Sequence, residues 1–271
     1  MDLLKAFLLG IVQGLTEFLP VSSSGHLVIG SAILDFHEPG IAFEVFLHCG
    51  TLLAVIFVFW VDLRKMVKSL FVSPAVRQAD LELNRLFYWN FYVVLATLPA
   101  VFVGLLLKDS IDRIFDNILI TFAMLALTGI LMLLTVYLKS KEAEITWFRS
   151  LAIGIAQAMA IMPGLSRSGS TIFTGMAMGV DRETAARFSF IMSIPAILGA
   201  VVLSVKDLNT SPPSTAMLSS IAVGTVTSVI SGYFAIVLLM HLVRRGKLQW
   251  FGYYCLCVSV VGFTWYLMRL A

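Results

Sequence analysis

Within one ten-residue stretch the chain carries Glu17, Ser22, Ser23, Ser24 and His26. A hydroxyl near an imidazole and a carboxylate is the arrangement of an activated nucleophile, and histidine moves protons near neutral pH. Glu17 could orient His26 or hold a divalent cation. Magnesium or calcium bound in this way would take few protein oxygens and complete its shell with phosphate oxygens. Further along, Ser166, Arg167, Ser168, Gly169, Ser170 and Thr171 surround a guanidinium with hydroxyl and backbone donors, a set suited to bidentate capture of phosphate oxygens. Ser22, Ser23 and Ser24 make a similar donor cluster, which at a helix N-terminus would also favour an anion.

The two clusters are copies of one pattern, 144 residues apart. Gly10 matches Gly154, Gln13 matches Gln157, Ser22 matches Ser166 and Gly25 matches Gly169. Copy one carries Glu17 and His26; copy two carries Arg167. Either serine run alone reads as close helix packing, which small residues serve in membranes, and an Arg–Glu pair could be purely structural. Ionisable groups at equivalent positions of two repeats favour a shared site, because intramembrane charges are expensive and mark function.

These residues must be positioned inside a bilayer. The 271-residue chain is 59% hydrophobic and 13% charged, with mean hydropathy +0.94, and soluble domains carry about twice that charged fraction. The net charge of +3 gives no sign of a nucleic-acid partner. Cys49, Cys255 and Cys257 lack metal or redox spacing and read as small apolar fillers. Residues 1–30 lack the marks of a cleaved signal peptide and belong to the fold. Six stretches are long enough to span, at about 20 residues each: 41–61, 87–107, 117–138, 187–205, 216–242 and 250–268. Segments 3–20 and 148–163 each end at a proline followed by serines and glycine, then resume apolar character briefly. That pattern predicts two re-entrant helix–loop–helix hairpins, about 3–34 and 148–180. Irregular backbone at membrane depth needs protein or water around it.

With both hairpins returning to their own side, thirteen Lys/Arg fall on one face and five on the other, with Arg167 inside the second hairpin. Basic loops face the cytoplasm, so both termini and the first hairpin belong outside. Similarity also runs from Ala42 to Ala54 and from Arg187 to Gly199. The prediction is an all-α polytopic membrane protein: a single membrane domain, 1–271, made of repeat one (1–140) and repeat two (145–271), each one hairpin plus three spans. An odd number of spans inverts the second copy, the plan of many transporters, whose sites lie at the midplane where broken helices meet. Glu44 and His48, one turn apart, could line the same cavity or form a polar pair within the bundle. Pro99 and Pro195 are expected to kink their spans, and Asp109, Asp112 and Asp116 to form a solvated loop.

The run Gln13–His26 together with Pro163–Gly169 resembles the two signatures of the bacitracin-resistance type undecaprenyl-diphosphate phosphatases, and the likeness extends over nearly the whole chain. The resemblance implies a multi-pass enzyme of the bacterial inner (cytoplasmic) membrane, with its site opening to the periplasm. It would remove the terminal phosphate of undecaprenyl diphosphate, recycle the lipid carrier for cell-wall synthesis and confer bacitracin resistance. It implies a divalent cation, Mg2+ or Ca2+, and a polyprenyl diphosphate lipid as partner. Residue by residue, Glu17 matches the essential glutamate, Ser23 the proposed nucleophile, His26 the catalytic histidine and Arg167 the phosphate-binding arginine. Ser22, Ser24, Ser166, Ser168 and Thr171 match hydroxyl positions around the phosphate. Glu17 and Gln13 would be the metal ligands; many members have glutamate where this chain has Gln13. The nucleophile is either Ser23 or His26, a homodimer is left open, and the rival reading is a transporter or flippase of a lipid phosphate.

Overall fold

The computed structural model describes residues 3–27, 40–106, 117–208 and 215–270. Every regular element among them is helical. In chain order α1 is Leu3–Phe18, α2 Gly40–Val58, α3 Trp60–Phe71, α4 Pro74–Ala79, α5 Leu81–Leu106 and α6 Ile118–Leu134, the last closed by a 3₁₀ turn Thr135–Tyr137. Then come α7 Trp147–Met159, α8 Arg167–Ala177, α9 Arg182–Leu208, α10 Thr215–Arg244 and α11 Gln249–Leu270.

Five helices are long and apolar enough to cross a membrane: 81–106, 118–137, 182–202, 218–244 and 249–268. A sixth forms if α2 and α3 count as one bent span. This is a multi-pass, all-α membrane protein. By contrast, α1 has 16 residues and α7 has 13, which at 1.5 Å per residue reach only about 24 and 20 Å. The hydrocarbon core is about 30 Å thick, so neither crosses alone. After α1 the chain turns at 19–22 and a helix restarts at 23; after α7 it turns at 160–166 and α8 begins. A helix–turn–helix thus stands where the sequence predicts the second hairpin. Of the first, residues 28–34 lie outside the described part, as do Asp109, Asp112 and Asp116 and the side chain of Glu44.

The expected first span, 41–61, is met by α2, Gly40–Val58, which ends three residues early. The helix stops at Val58 and the chain bends by 74° into α3. The apolar run gives way there to Asp62, Arg64 and Lys65, which cannot continue through hydrocarbon. Phe59 at the bend is buried against Phe190, with ring centroids 5.6 Å apart, and Asp62 pairs with Arg187 of α9. Asn90 of α5 donates to the Met66 carbonyl at 3.2 Å, holding α3 against α5. Pro99 and Pro195 sit inside α5 and α9, which continue past them.

Packing exchanges the two halves. Hairpin helix α1 packs on α10 of the second half, and hairpin helix α7 packs on α5 of the first. The spans α6 and α11 pair with each other, as do α2 and α9. Lipid tails are as apolar as leucine, so these contacts rest on close backbone approach and hydrogen bonds rather than on escape from water. A Cβ on Gly10 would lie 2.5 Å from the Gly224 carbonyl, and one on Gly154 would lie 2.5 Å from that of Ala96. Ser231 donates to the Gly10 carbonyl at 3.2 Å, and Ser150 to that of Tyr92 at 2.5 Å. The matched glycines seen in sequence therefore serve matched crossings. A buried aromatic set, Phe18, Phe59, Trp89, Phe188 and Phe190, fills the space between them.

Candidate active site

Each hairpin tip is built around one serine. Ser166 caps α8: its Oγ accepts from the Gly169 N–H at 3.1 Å, and its carbonyl accepts from Ser170 N–H at 2.9 Å. Ser22 repeats this at the other tip, accepting from Gly25 N–H at 3.4 Å and from His26 N–H at 3.2 Å. Each cap also shares a proton with the serine two residues on, Ser22 with Ser24 at 3.3 Å and Ser166 with Ser168 at 3.2 Å. A cap of this kind satisfies N–H groups that a helix start leaves unpaired and is worth about 1 kcal/mol. The copies differ in backbone: Ser22 has φ +69°, a left-handed conformation that costs a non-glycine residue about 1–3 kcal/mol and clusters at functional sites.

The tips meet. Ser168 donates to the Leu19 carbonyl at 3.2 Å, and a Cβ on Gly169 would lie 3.2 Å from Pro20. At the second tip Thr128 of α6 accepts from Ser166 N–H at 2.9 Å and donates to the Gly164 carbonyl at 3.1 Å. Gly164 has φ +88°, and its α-carbon faces the Thr121 carbonyl so closely that a Cβ would lie 2.0 Å from it, so only glycine fits that turn.

Glu17 lies at the centre, 9% exposed. Its Oε1 accepts from Arg167 Nη2 at 2.5 Å. Its Oε2 accepts from Ser23 Oγ at 2.8 Å and from Gln13 Nε2 at 3.1 Å, with His48 Nε2 3.8 Å away. The convergence expected of Glu17, Ser23 and Arg167 is therefore real. The carboxylate uses one edge of the guanidinium. Arg167 Nη1 is buried without a hydrogen-bond partner, and so is Gln13 Oε1. A buried, unpaired charged donor is costly, and an anion is the chemical partner that would satisfy it.

His26 is placed otherwise than expected. Its Nδ1 donates to the Ser22 carbonyl at 2.8 Å and its Nε2 meets the Tyr254 hydroxyl at 2.7 Å. Among the described residues Ser23 gives its proton to Glu17 and not to His26. The imidazole thus faces Tyr254 of α11. Ser166 and Ser168 build the tip, and Thr171 donates to the Arg167 carbonyl at 2.8 Å and shares a proton with Ser189 at 2.6 Å. These hydroxyls position Arg167. Sequence reading missed Tyr254 entirely and left His48 between two roles; no local spacing links either to residues 13–26.

Among the described residues no group of three or more His, Cys, Asp or Glu side chains gathers to hold a metal. The donors present, Glu17, the unpaired Gln13 oxygen and Ser23, fit a hard cation that takes the rest of its shell from substrate phosphate.

The chain matches the family described as Bacitracin resistance protein BacA over residues 6–261. It is 41% identical to the undecaprenyl-diphosphatase of Methanobrevibacter smithii over 276 residues, covering 97% of each chain. It is 38% identical to that of Methanosphaera stadtmanae, covering 96% of this chain and 97% of the relative. The undecaprenyl-diphosphatase of Moorella thermoacetica is 38% identical, covering 99% of this chain and all of the relative.

Proposed function

The chain belongs to the bacitracin resistance protein BacA family, and from that membership we propose that it hydrolyses undecaprenyl diphosphate to undecaprenyl phosphate and inorganic phosphate. The observation that carries the reading is the unpaired Nη1 of Arg167 beside a serine whose proton already points at a carboxylate. The terminal phosphate would take Arg167 Nη1 and the first N–H groups of α8. Glu17 receives the Ser23 proton as Ser23 Oγ bonds to phosphorus. The bond to the bridging oxygen breaks, and its electron pair leaves on undecaprenyl phosphate. Water then attacks the phosphoserine as the Tyr254 hydroxyl releases His26 Nε2, which takes the water's proton; Glu17 returns one to Ser23, the bond from phosphorus to Ser23 Oγ breaks, and inorganic phosphate departs. Arg167 neutralises charge that grows on the phosphoryl oxygens, the dominant contribution in phosphoryl transfer.

A divalent cation, Mg2+ or Ca2+, held by Glu17 and the Gln13 oxygen together with substrate, would supply further charge neutralisation. The asymmetry of basic loops, thirteen Lys/Arg against five, supports putting the first hairpin on the outer side, and family membership implies a site opening to the periplasm of a bacterial inner membrane. The reaction would recycle the carrier lipid for cell-wall synthesis and oppose bacitracin.

The test is phosphate release from undecaprenyl diphosphate by the detergent-purified protein, with magnesium and with chelator. Release that stops with chelator and returns with the cation is the expected result. The exchanged packing of the halves favours one second reading, a lipid-phosphate flippase. Movement of undecaprenyl diphosphate across proteoliposomes with no phosphate released would overturn the hydrolase in its favour.

A further inference from the structure

We infer that Tyr254 is a positioning residue for His26, because its hydroxyl and ring hold the imidazole from one side while the Ser22 carbonyl holds it from the other. The inference rests on the hydrolase reading above. A carbonyl only accepts, so the 2.8 Å contact puts the ring proton on Nδ1. In the neutral ring Nε2 is then a bare acceptor, and the Tyr254 hydroxyl donates to it at 2.7 Å. The two rings are also stacked, with centroids 5.5 Å apart and planes 14° from parallel. Tyr254 therefore sets the plane of the imidazole as well as the direction of its lone pair.

Tyr254 is itself held in register with the first hairpin. The next residue, Cys255, is buried and its thiol donates to the Pro20 carbonyl at 3.6 Å. One turn on, Ser259 donates to the Phe122 carbonyl of α6 at 2.8 Å. The last span is thus pinned to the turn that precedes Ser22 and to the helix beneath the second tip. The charged groups of the site, Glu17 and Arg167, bind each other and Ser23, so among the described residues the side-chain partner of His26 is Tyr254. A phenol donates to the neutral ring and accepts from the imidazolium. It holds Nε2 in place in the resting site, gives way to water when the ring takes a proton, and accepts from the imidazolium afterwards; Tyr254 itself is partly exposed.

The experiment compares purified wild type, Tyr254→Phe, and protein carrying 3,5-difluorotyrosine at 254, each with undecaprenyl diphosphate and magnesium over a pH series. Tyr254→Phe keeps the stacked ring and loses the hydroxyl; kcat should fall about tenfold with KM within about twofold, less than the roughly 10²–10⁴ carried by an acid–base group itself. Fluorination makes the hydroxyl a better donor to bare Nε2 and a poorer acceptor from the imidazolium. Both effects favour the neutral ring, so the acid limb of the kcat/KM profile should move to lower pH. Wild-type kcat in Tyr254→Phe together with an unmoved limb in the fluorinated protein overturns the inference and leaves the hydrolase reading intact. An inactive wild type overturns both. Should Tyr254→Phe fail to fold, the fluorinated protein decides alone, since it keeps the side chain's shape.

Discussion

Glu17 accepts hydrogen bonds from Arg167, Ser23 and Gln13, and this decides what its loss should do. Removing one member of a buried ion pair strands the other and costs about 3–5 kcal/mol. Glu17→Ala should therefore lower the melting temperature as well as abolish phosphate release. The double variant Glu17→Gln/Arg167→Met removes the stranded charge; it should recover much of the thermal stability in a detergent melt and none of the turnover. Recovery of both would make the pair structural and no more. Arg167→Lys keeps the charge but loses the planar fork that serves Glu17 and an anion at once. Its phosphate release should fall at least ~10-fold, approaching the ~10² expected when an electrostatic clamp is removed; a rate within twofold of wild type would count against the phosphate-binding role.

The hairpins are where sequence was most and least readable. Polar residues stand out against an apolar background, so the two broken segments, their matched serine caps and their matched glycines could be aligned before any coordinates. Burial of Gln13 and Gln157 at equivalent places follows the same logic. Three things were hidden. The bend after Val58 has no proline or glycine to announce it. Spacing encodes neither the partner of Ser23, which is Glu17, nor the left-handed φ at Ser22. Tyr254 reaches His26 from 228 residues away, and in a span it looks like any other aromatic. The glycine crossings themselves are testable: Gly154→Leu places a Cβ 2.5 Å from the Ala96 carbonyl, so α7 must move off α5. Overpacking of this kind costs about 1–3 kcal/mol, and the variant should melt lower and lose activity although it touches no reacting group. Unchanged melting would refute the crossing.

At the scale of the molecule, we propose that three spans per half turn the second hairpin upside down relative to the first, so that tips arriving from opposite faces share one site. In a chain freed of its native cysteines, Asn117→Cys should react with an impermeant maleimide on intact cells, and Arg245→Cys only after the cells are opened. Both positions reacting from the same side would break the inverted arrangement. The central claim is that the two tips act as one catalytic unit. Its most direct measurement is phosphate release by Ser23→Ala from one tip, Arg167→Ala from the other, and the double variant. Each single change should lose at least ~10², and the double should lose little more than the worse single, as groups that act together do. A wild-type rate in either single variant, or losses that multiply in the double, would contradict it.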